Sequence, residues 1–168
     1  GAAVPGEERG VHIQHAEPGE FQQFGPKEHR IGDDADEIGS EPAQPGDNVV
    51  WEVDGIEDYL PVLGPLCNES GRLRRKLIDF SFARHAPLLK EDCGAEIDQL
   101  DPQEGFERFL SGILDVIERA GPGAFYIFDC LSDLAADWFS DRMLGNFFMI
   151  TCPYLYEMDT IAYFALQK

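Results

Sequence analysis

A carboxylate closes a short apolar run late in the chain. Residues 124–129 read Ala-Phe-Tyr-Ile-Phe-Asp, so Asp129 falls where a buried strand would end. Open α/β sheets bind their ligands at the carboxyl ends of such strands, so Asp129 would lie on the ligand-binding rim of the sheet. Other polar residues fall at or just past predicted strand ends. Together they are the candidate ligand-binding residues: Asp54, Arg84, His85, Asp129, Ser132 and Tyr154.

Arg84 and His85 are the cationic members of this set. They follow the alternating run 77–82, which is typical of a strand, and would suit an anionic ligand at the rim of the sheet. The alternative is an ordinary solvent-exposed loop pair, and the sequence favours it slightly.

The segment after the first predicted strand argues against phosphate binding. A phosphate-binding loop reads G-x-x-x-x-G-K-S/T, and its amides and lysine hold the phosphates. Residues 54–59 contain one glycine, no lysine and three carboxylates. Each such charge opposes phosphate binding by about 1–4 kcal/mol, depending on its exposure. A working loop of this kind is excluded here, and no other segment has the pattern.

Other potential metal ligands lack a recognisable spacing. His12, His15 and His29 match no metal site, and the four cysteines include no C-x-x-C pair. Cys130 and Cys152 end predicted strands, where buried reduced thiols are common. Asp133, Asp137 and Asp141 recur every four residues on one helical face; they could line a cation site, but a solvated stripe is the favoured interpretation.

Short strands alternate with helices, as in a parallel sheet covered on both faces. Strands are predicted at 48–53, 77–82, 124–129 and 147–152, with a short additional strand at 96–100. A helix should follow Glu57 and break or kink at Gly64-Pro65. A second should start at the N-cap Asp101 and end at Gly121. Two more are predicted, one just after Asp129, with Trp138 and Phe139 facing inward, and one over 160–167.

Length and charge bound the class of protein. The 168 residues predict one domain, and the net charge of −19, from 32 acids and 13 bases, repels phosphate backbones and anionic lipids. We therefore expect no nucleic acid and no membrane partner. Residues 1–44 are acidic and rich in Gly and Pro, which predicts an irregular arm on the domain 45–168. Without a leader or a long apolar run, the chain is predicted to be cytoplasmic.

The segments 45–51, 80–85, 125–134 and 138–166 together resemble the RecA/KaiC-like ATPase core. The resemblance is closest to the degenerate version at the amino end of some proteins related to phosphoenolpyruvate synthase and pyruvate phosphate dikinase. It implies that Asp129 corresponds to the Walker B aspartate, which helps to hold Mg²⁺, and Ser132 to the serine that often follows. The Walker A lysine has no counterpart in 54–59, and the catalytic glutamate is replaced around Arg84 and His85.

The resemblance also implies a three-layer P-loop NTPase-type parallel sheet, incomplete at the C-terminus. Its expected order, 1-4-3-2, is 48–53, 147–152, 124–129 and 77–82. The open edge at 48–53 would then be covered by the arm, by another copy or by missing sequence. The implied function is a catalytically inactive regulatory or interaction module of a larger protein, with Mg-nucleotide binding disfavoured and protein partners or a homo-oligomer expected. The alternatives are a domain that binds a small anionic ligand, and an ATPase completed by a neighbouring subunit or domain.

Overall fold

The computed structural model describes residues 27–30, 43–82, 84–89, 93–138 and 141–167. They form an α/β domain with six strands and four α-helices in the described part of the chain. The strands are β1 Lys27–Arg30, β2 Asn48–Val53, β3 Leu77–Ser81, β4 Glu96–Gln99, β5 Phe125–Asp129 and β6 Ile161–Gln167. The helices are α1 Leu60–Leu73, α2 Phe106–Ala120, α3 Leu131–Trp138 and α4 Asp141–Glu157.

All neighbouring strands pair in parallel, in the order β1-β2-β6-β5-β3-β4. The predicted α/β class with a parallel sheet is therefore confirmed. β5 is an interior strand: Ser81 of β3 is in register with Asp129 on one side, and Phe164 of β6 with Phe128 on the other. The carboxyl ends of β3, β5 and β6 consequently share one rim of the sheet.

The two faces of the sheet carry separate apolar cores, because successive side chains of a strand point in opposite directions. On one face, Phe80, Tyr126 and Phe128 pack with residues of α2, α3 and α4, including the predicted inward-facing Trp138. On the other face, Phe125 and Ile127 pack with α1. The result is three layers, with helices on both sides of the strands. Phe139 lies outside the described residues.

The predicted strand order 1-4-3-2 is wrong. Counted from Asn48, the observed order is 1-5-4-2-3, and the strand beside β2 is β6 rather than 147–152. Residues 147–152 lie inside α4, whereas 161–167, predicted as a helix, form β6. Phe147, Thr151 and Leu155 are buried while Met149 is 76% exposed, which is helical spacing. Pro153 also lies within α4.

The two edges of the sheet are protected from further strand pairing in different ways. β1, from the predicted arm, pairs with β2 over four residues, so the arm covers the edge that was expected to be open. At the opposite edge the predicted short strand is confirmed as β4, where Glu96 and Asp98 lie beside Arg119 of α2. Charged side chains on an edge strand discourage pairing with another chain.

Local signals at the helix ends are partly confirmed. Asp101 accepts a hydrogen bond from the Gln103 amide at 2.9 Å, but it caps a short 3-10 turn, Pro102–Glu104, and α2 begins after Gly105. Gly121 ends α2 as predicted. The helix does not break at Gly64-Pro65, since α1 is continuous through Pro65; the alternative, a kink, stays a prediction.

Two of the cysteines form a disulfide that the sequence did not predict. Cys67 in α1 bonds to Cys93, just before β4, with Cα atoms 5.7 Å apart. The bond ties the connection between β3 and β4 to α1. Disulfides persist mainly in oxidising compartments, so the cytoplasmic location stays a prediction.

Peptide mapping without reductant should recover Cys67 and Cys93 as one cross-linked pair. Cys130 and Cys152 are free and buried, so we expect them to react with an alkylating reagent only after unfolding. The matched control is the reduced, denatured protein, in which all four thiols should react. Four reactive thiols in the unfolded but unreduced protein would contradict the bond.

Candidate functional site

The rim of the sheet carries two fully buried carboxylates. Asp129 ends β5, and Asp79 lies in the adjacent β3, in register with Ile127. Both side chains are 0% exposed. Because Asp79, Ser81 and Asp129 alternate with core aromatics, they point to the face covered by α1. Two acids are thus held under the start of α1.

The connection after β3 brings a histidine onto this pair. The Arg84 amide donates to Asp133 Oδ2 at 3.0 Å, and its guanidinium donates to Asp137 Oδ1 at 2.7 Å, which fixes the loop to α3. His85 Nδ1 lies 2.7 Å from the carbonyl oxygen of Ala86, and Nε2 lies 3.2 Å from Asp129 Oδ1. The two candidates at 84 and 85 therefore have different surroundings: Arg84 is exposed and already paired, whereas His85 reaches the buried carboxylate.

Burial dominates the electrostatics of both acids. It raises the pKa of Asp129 to about 7, an effect that the charge of Asp79 reinforces and that His85 and the Leu88 amide oppose. Burial likewise raises the pKa of Asp79 to about 6, against a hydrogen bond from the Leu89 amide and the charge of His85. Removing a carboxylate from water disfavours its charged form. Each acid therefore holds a proton more readily than it would in solution.

The loop between β2 and α1 fills the position where a phosphate cradle would lie. It folds as a 3-10 turn, Ile56–Tyr59. The Gly55 amide donates to Asp58 Oδ2 at 2.9 Å, and the Asp58 amide donates back to Gly55 O at 3.1 Å. A Cβ on Gly55 would meet the Glu57 carboxylate at 2.8 Å. The turn is thus closed by its own acidic side chains.

Tyr59 packs in the core on the α1 side of the sheet, close enough to Asp129 for that charge to act on it. Its ring is 0% exposed, and burial, reinforced by the nearby Cys130 and Asp129, raises the pKa of its hydroxyl. The side chain comes from the segment that a phosphate-binding loop would leave open. It closes the α1 side of the site.

The three remaining candidate residues are Ser132, Asp54 and Tyr154. Ser132 Oγ donates to the Gln167 carbonyl at 2.5 Å and accepts from its amide at 2.9 Å, tying α3 to the end of β6. Asp54 is exposed in the bend after β2. Tyr154 lies in α4 rather than past a strand end; one turn later Met158 O accepts from the Gly123 amide, near the start of β5. Tyr154 is therefore at the opposite end of the sheet from the rim.

An open cleft of about 530 Å³ adjoins the site between the β3–β4 connection and α3. His85 and Arg84 line it, together with the acids Asp101 and Asp137. Because Asp137 already pairs with Arg84 at 2.7 Å, the cleft offers an anion little unmatched positive charge. Asp133 and Asp137 thus hold the loop through Arg84. The side chain of Asp141, the third acid of the predicted row, is outside the described part of the structure.

Three metal-capable atoms converge at the centre of the site. A ring nitrogen of His85, a carboxylate oxygen of Asp129 and the thiol sulfur of Cys130 all lie within 4.8 Å of one another. Cys152 lies in α4 rather than at the end of a strand. His12 and His15 lie outside the described residues, as does the side chain of His29.

Sequence reasoning named His85 and Asp129 but missed Asp79, Cys130 and Tyr59. The period of two in 77–82 contained a usable signal, since it puts Asp79 on the face opposite Phe80 and Ile78. Cys130 directly follows Asp129. Nothing local marks Tyr59, whose role depends on how α1 docks.

Comparison with known proteins leaves the family open. No family model matches the sequence, and no curated protein matches it significantly. None of the helices in the described ranges has the length and apolar character to cross a membrane.

Proposed function

We propose that this chain is a RecA/KaiC-like nucleotide-type domain that has lost its phosphate-binding loop and acts through contacts with other proteins or domains. The observation that carries the proposal is the closed turn after β2. The Gly55 amide, which would face a phosphate, is bound by the Asp58 carboxylate at 2.9 Å. A phosphoryl-transfer site without amide cradle, lysine and base lacks the groups that position and stabilise the transferred phosphate.

The arrangement of the strands supports the ancestry. In RecA-like cores, the Walker B strand is separated from the first strand by the strand that follows it in sequence. β6 follows β5 in sequence and lies between β5 and β2. β4, beyond β3, is an addition at the far edge. The resemblance and the sheet therefore favour the same scaffold, although the fourth strand was assigned to the wrong segment.

The state of Asp129 supports the loss of catalysis. In the implied role it would contact magnesium through water, yet it is 0% exposed. His85 and Arg84 stand where the resemblance expects a catalytic glutamate. A neighbouring subunit could supply an arginine or a base, but it could not open the turn at Gly55. This weighs against an ATPase completed in trans.

Exposed apolar side chains on α4 support an interaction role. Met149 is 76% exposed and the adjacent Ile150 is 43% exposed. In a chain with a net charge of −19, such residues are the ones that gain most from being covered. A domain without a phosphate site that keeps them at its surface is suited to bind another protein surface.

Calorimetry with ATP and with ADP, each in the presence of Mg²⁺, should detect no binding tighter than about 1 mM. The reason is the carboxylate-filled turn, so a variant carrying Glu57→Gln and Asp58→Asn should gain at least about tenfold in any residual affinity, since each of the two removed charge repulsions is worth about 1 kcal/mol or more. The charge-matched control is the double variant Asp115→Asn with Glu118→Gln, at exposed positions of α2, which should gain nothing. Micromolar affinity in the wild type, or measurable hydrolysis, would overturn the proposal.

A further inference from the structure

We propose that His85, Asp129 and Cys130 form a binding site for a single zinc-type divalent cation at the rim of the sheet. The inference concerns the donor atoms alone and does not depend on the ancestry of the scaffold. It differs from a nucleotide-associated magnesium site, since magnesium selects oxygen ligands and a thiolate does not suit it.

The donor atoms are of the kinds that zinc binds, and their separations are close to those of a filled zinc site. Zinc binds imidazole nitrogen, thiolate sulfur and carboxylate oxygen at about 2.0–2.3 Å, which separates the donors of a filled tetrahedral site by about 3.3–3.8 Å. Here the three donors lie within 4.8 Å of one another, and Nε2 of His85 is already 3.2 Å from Asp129 Oδ1. The donors would have to close by about 1 Å to reach the separations of a filled site.

The tautomer of His85 favours a cation at Nε2. A carbonyl oxygen only accepts hydrogen bonds, so the 2.7 Å contact with Ala86 O assigns the hydrogen to Nδ1. In the neutral ring the lone pair of Nε2 would face the Asp129 carboxylate 3.2 Å away, so that two electron-rich groups meet, whereas in the protonated ring Nε2–H would donate to that carboxylate. A proton or a metal ion between them relieves this. Donation of the second ring N–H to a backbone carbonyl is the usual support for a metal-bound histidine.

Unpartnered polar atoms gather at the same place. Nine buried side-chain nitrogen or oxygen atoms lack a hydrogen bond in the described part of the chain. Five of them belong to this region: both carboxylate oxygens of Asp129, Nε2 of His85, Oδ1 of Asp79 and the hydroxyl of Tyr59. Nε2 of His85 and Oδ1 of Asp129 lie 3.2 Å apart and can share one proton, whereas a cation between them would engage both atoms at once.

The surroundings give the ion a path and support. The side chain of His85 is 18% exposed and lines the cleft of about 530 Å³, whereas Asp129 is fully buried behind it. Three protein ligands leave a fourth position for water. Asp79 is close enough for its charge to act on Asp129, and it adds negative charge without being a required ligand.

Titration of the chelator-treated full chain with Zn²⁺ and with Co²⁺, in buffer without thiol reductant, tests the site. We expect one equivalent of tightly bound metal, and for Co²⁺ a thiolate-to-metal absorption band. Cys130→Ser should abolish the band and weaken binding by at least about a hundredfold, and His85→Ala, at a partly exposed position, should weaken binding similarly.

The matched control is Cys152→Ser, which removes the other buried free thiol and should leave the band and the affinity unchanged. Circular dichroism of each variant checks folding. Binding that survives both Cys130→Ser and His85→Ala would assign the metal to other groups, such as the remaining histidines, and would overturn the proposal. Absence of stoichiometric binding in the wild type would overturn it too, and would leave a proton between His85 and Asp129.

Discussion

Asp129→Asn should make the metal-free protein more stable at pH 7.5, by about 2–3 kcal/mol. The carboxylate is 0% exposed, and neither of its oxygens has a well-formed hydrogen bond among the described residues. Burial raises its pKa to about 7, so at pH 7.5 the folded protein must keep a charge where water cannot solvate it. The neutral amide removes that cost at nearly constant shape.

The same shift fixes the sign of the pH dependence. The pKa of Asp129 is raised on folding, so the folded state binds more protons than the unfolded state between the two values. The stability that this proton contributes is fully present below about pH 4, the ordinary range of a carboxyl, and is lost as the pH rises towards 7. Asp79, with a pKa of about 6, acts in the same direction over a narrower window.

Urea unfolding at pH 5.5, 6.5 and 7.5, with a chelator present, measures both effects. The wild type should lose stability across this series, and Asp129→Asn should lose less. Asp115→Asn removes one charge from the exposed surface of α2 and should follow the wild type. If Asp129→Asn were less stable than the wild type at pH 7.5, or kept the full slope, the buried carboxylate would have partners that the structure does not describe.

The strands and helices that were predicted correctly are those whose sequence patterns lie within a few neighbouring residues. β2, β3 and β5 are short apolar runs bounded by turns, and α2 has a strong helical period ending at Gly121. The segment 147–152 was predicted as a strand and forms a helix, and 161–167 was predicted as a helix and forms a strand. Both errors have the same physical cause. An apolar run of six or seven residues fits a buried strand or one face of a helix equally well, and the contacts with β5 and β2 decide between them.

The site was predictable only where strand ends define it. Asp129 and His85 follow from the carboxyl ends of β5 and β3, which parallel pairing brings to one rim. The prediction that Tyr154 lies just past a strand end was wrong, because the segment that contains it is the helix α4. Tyr59 joins the site through the docking of α1, a contact between distant segments that no local pattern encodes.

Phe128→Ala should cost about 3–5 kcal/mol of folding free energy, the largest loss we expect from one side chain. Phe128 is 0% exposed, and its ring is the meeting point of three elements. It stacks on Phe80 at 4.9 Å and on Phe164 at 4.5 Å, and it meets the edge of Phe147 at 5.8 Å between ring centroids. Truncation removes buried area and leaves a cavity bounded by aromatic rings that cannot collapse into it.

Urea unfolding should resolve this loss against two matched variants. Met149→Ala, at a side chain 76% exposed on α4, should change stability by less than about 0.5 kcal/mol. Phe128→Leu keeps most of the volume and should fall between the two. Because Phe128 and Asp129 are consecutive in β5 and point to opposite faces, Phe128→Ala lowers stability through the α2–α4 core while Asp129→Asn raises it through the α1 side. If Phe128→Ala cost no more than Met149→Ala, residues 125–129 would not be the interior strand on which both the core and the site depend.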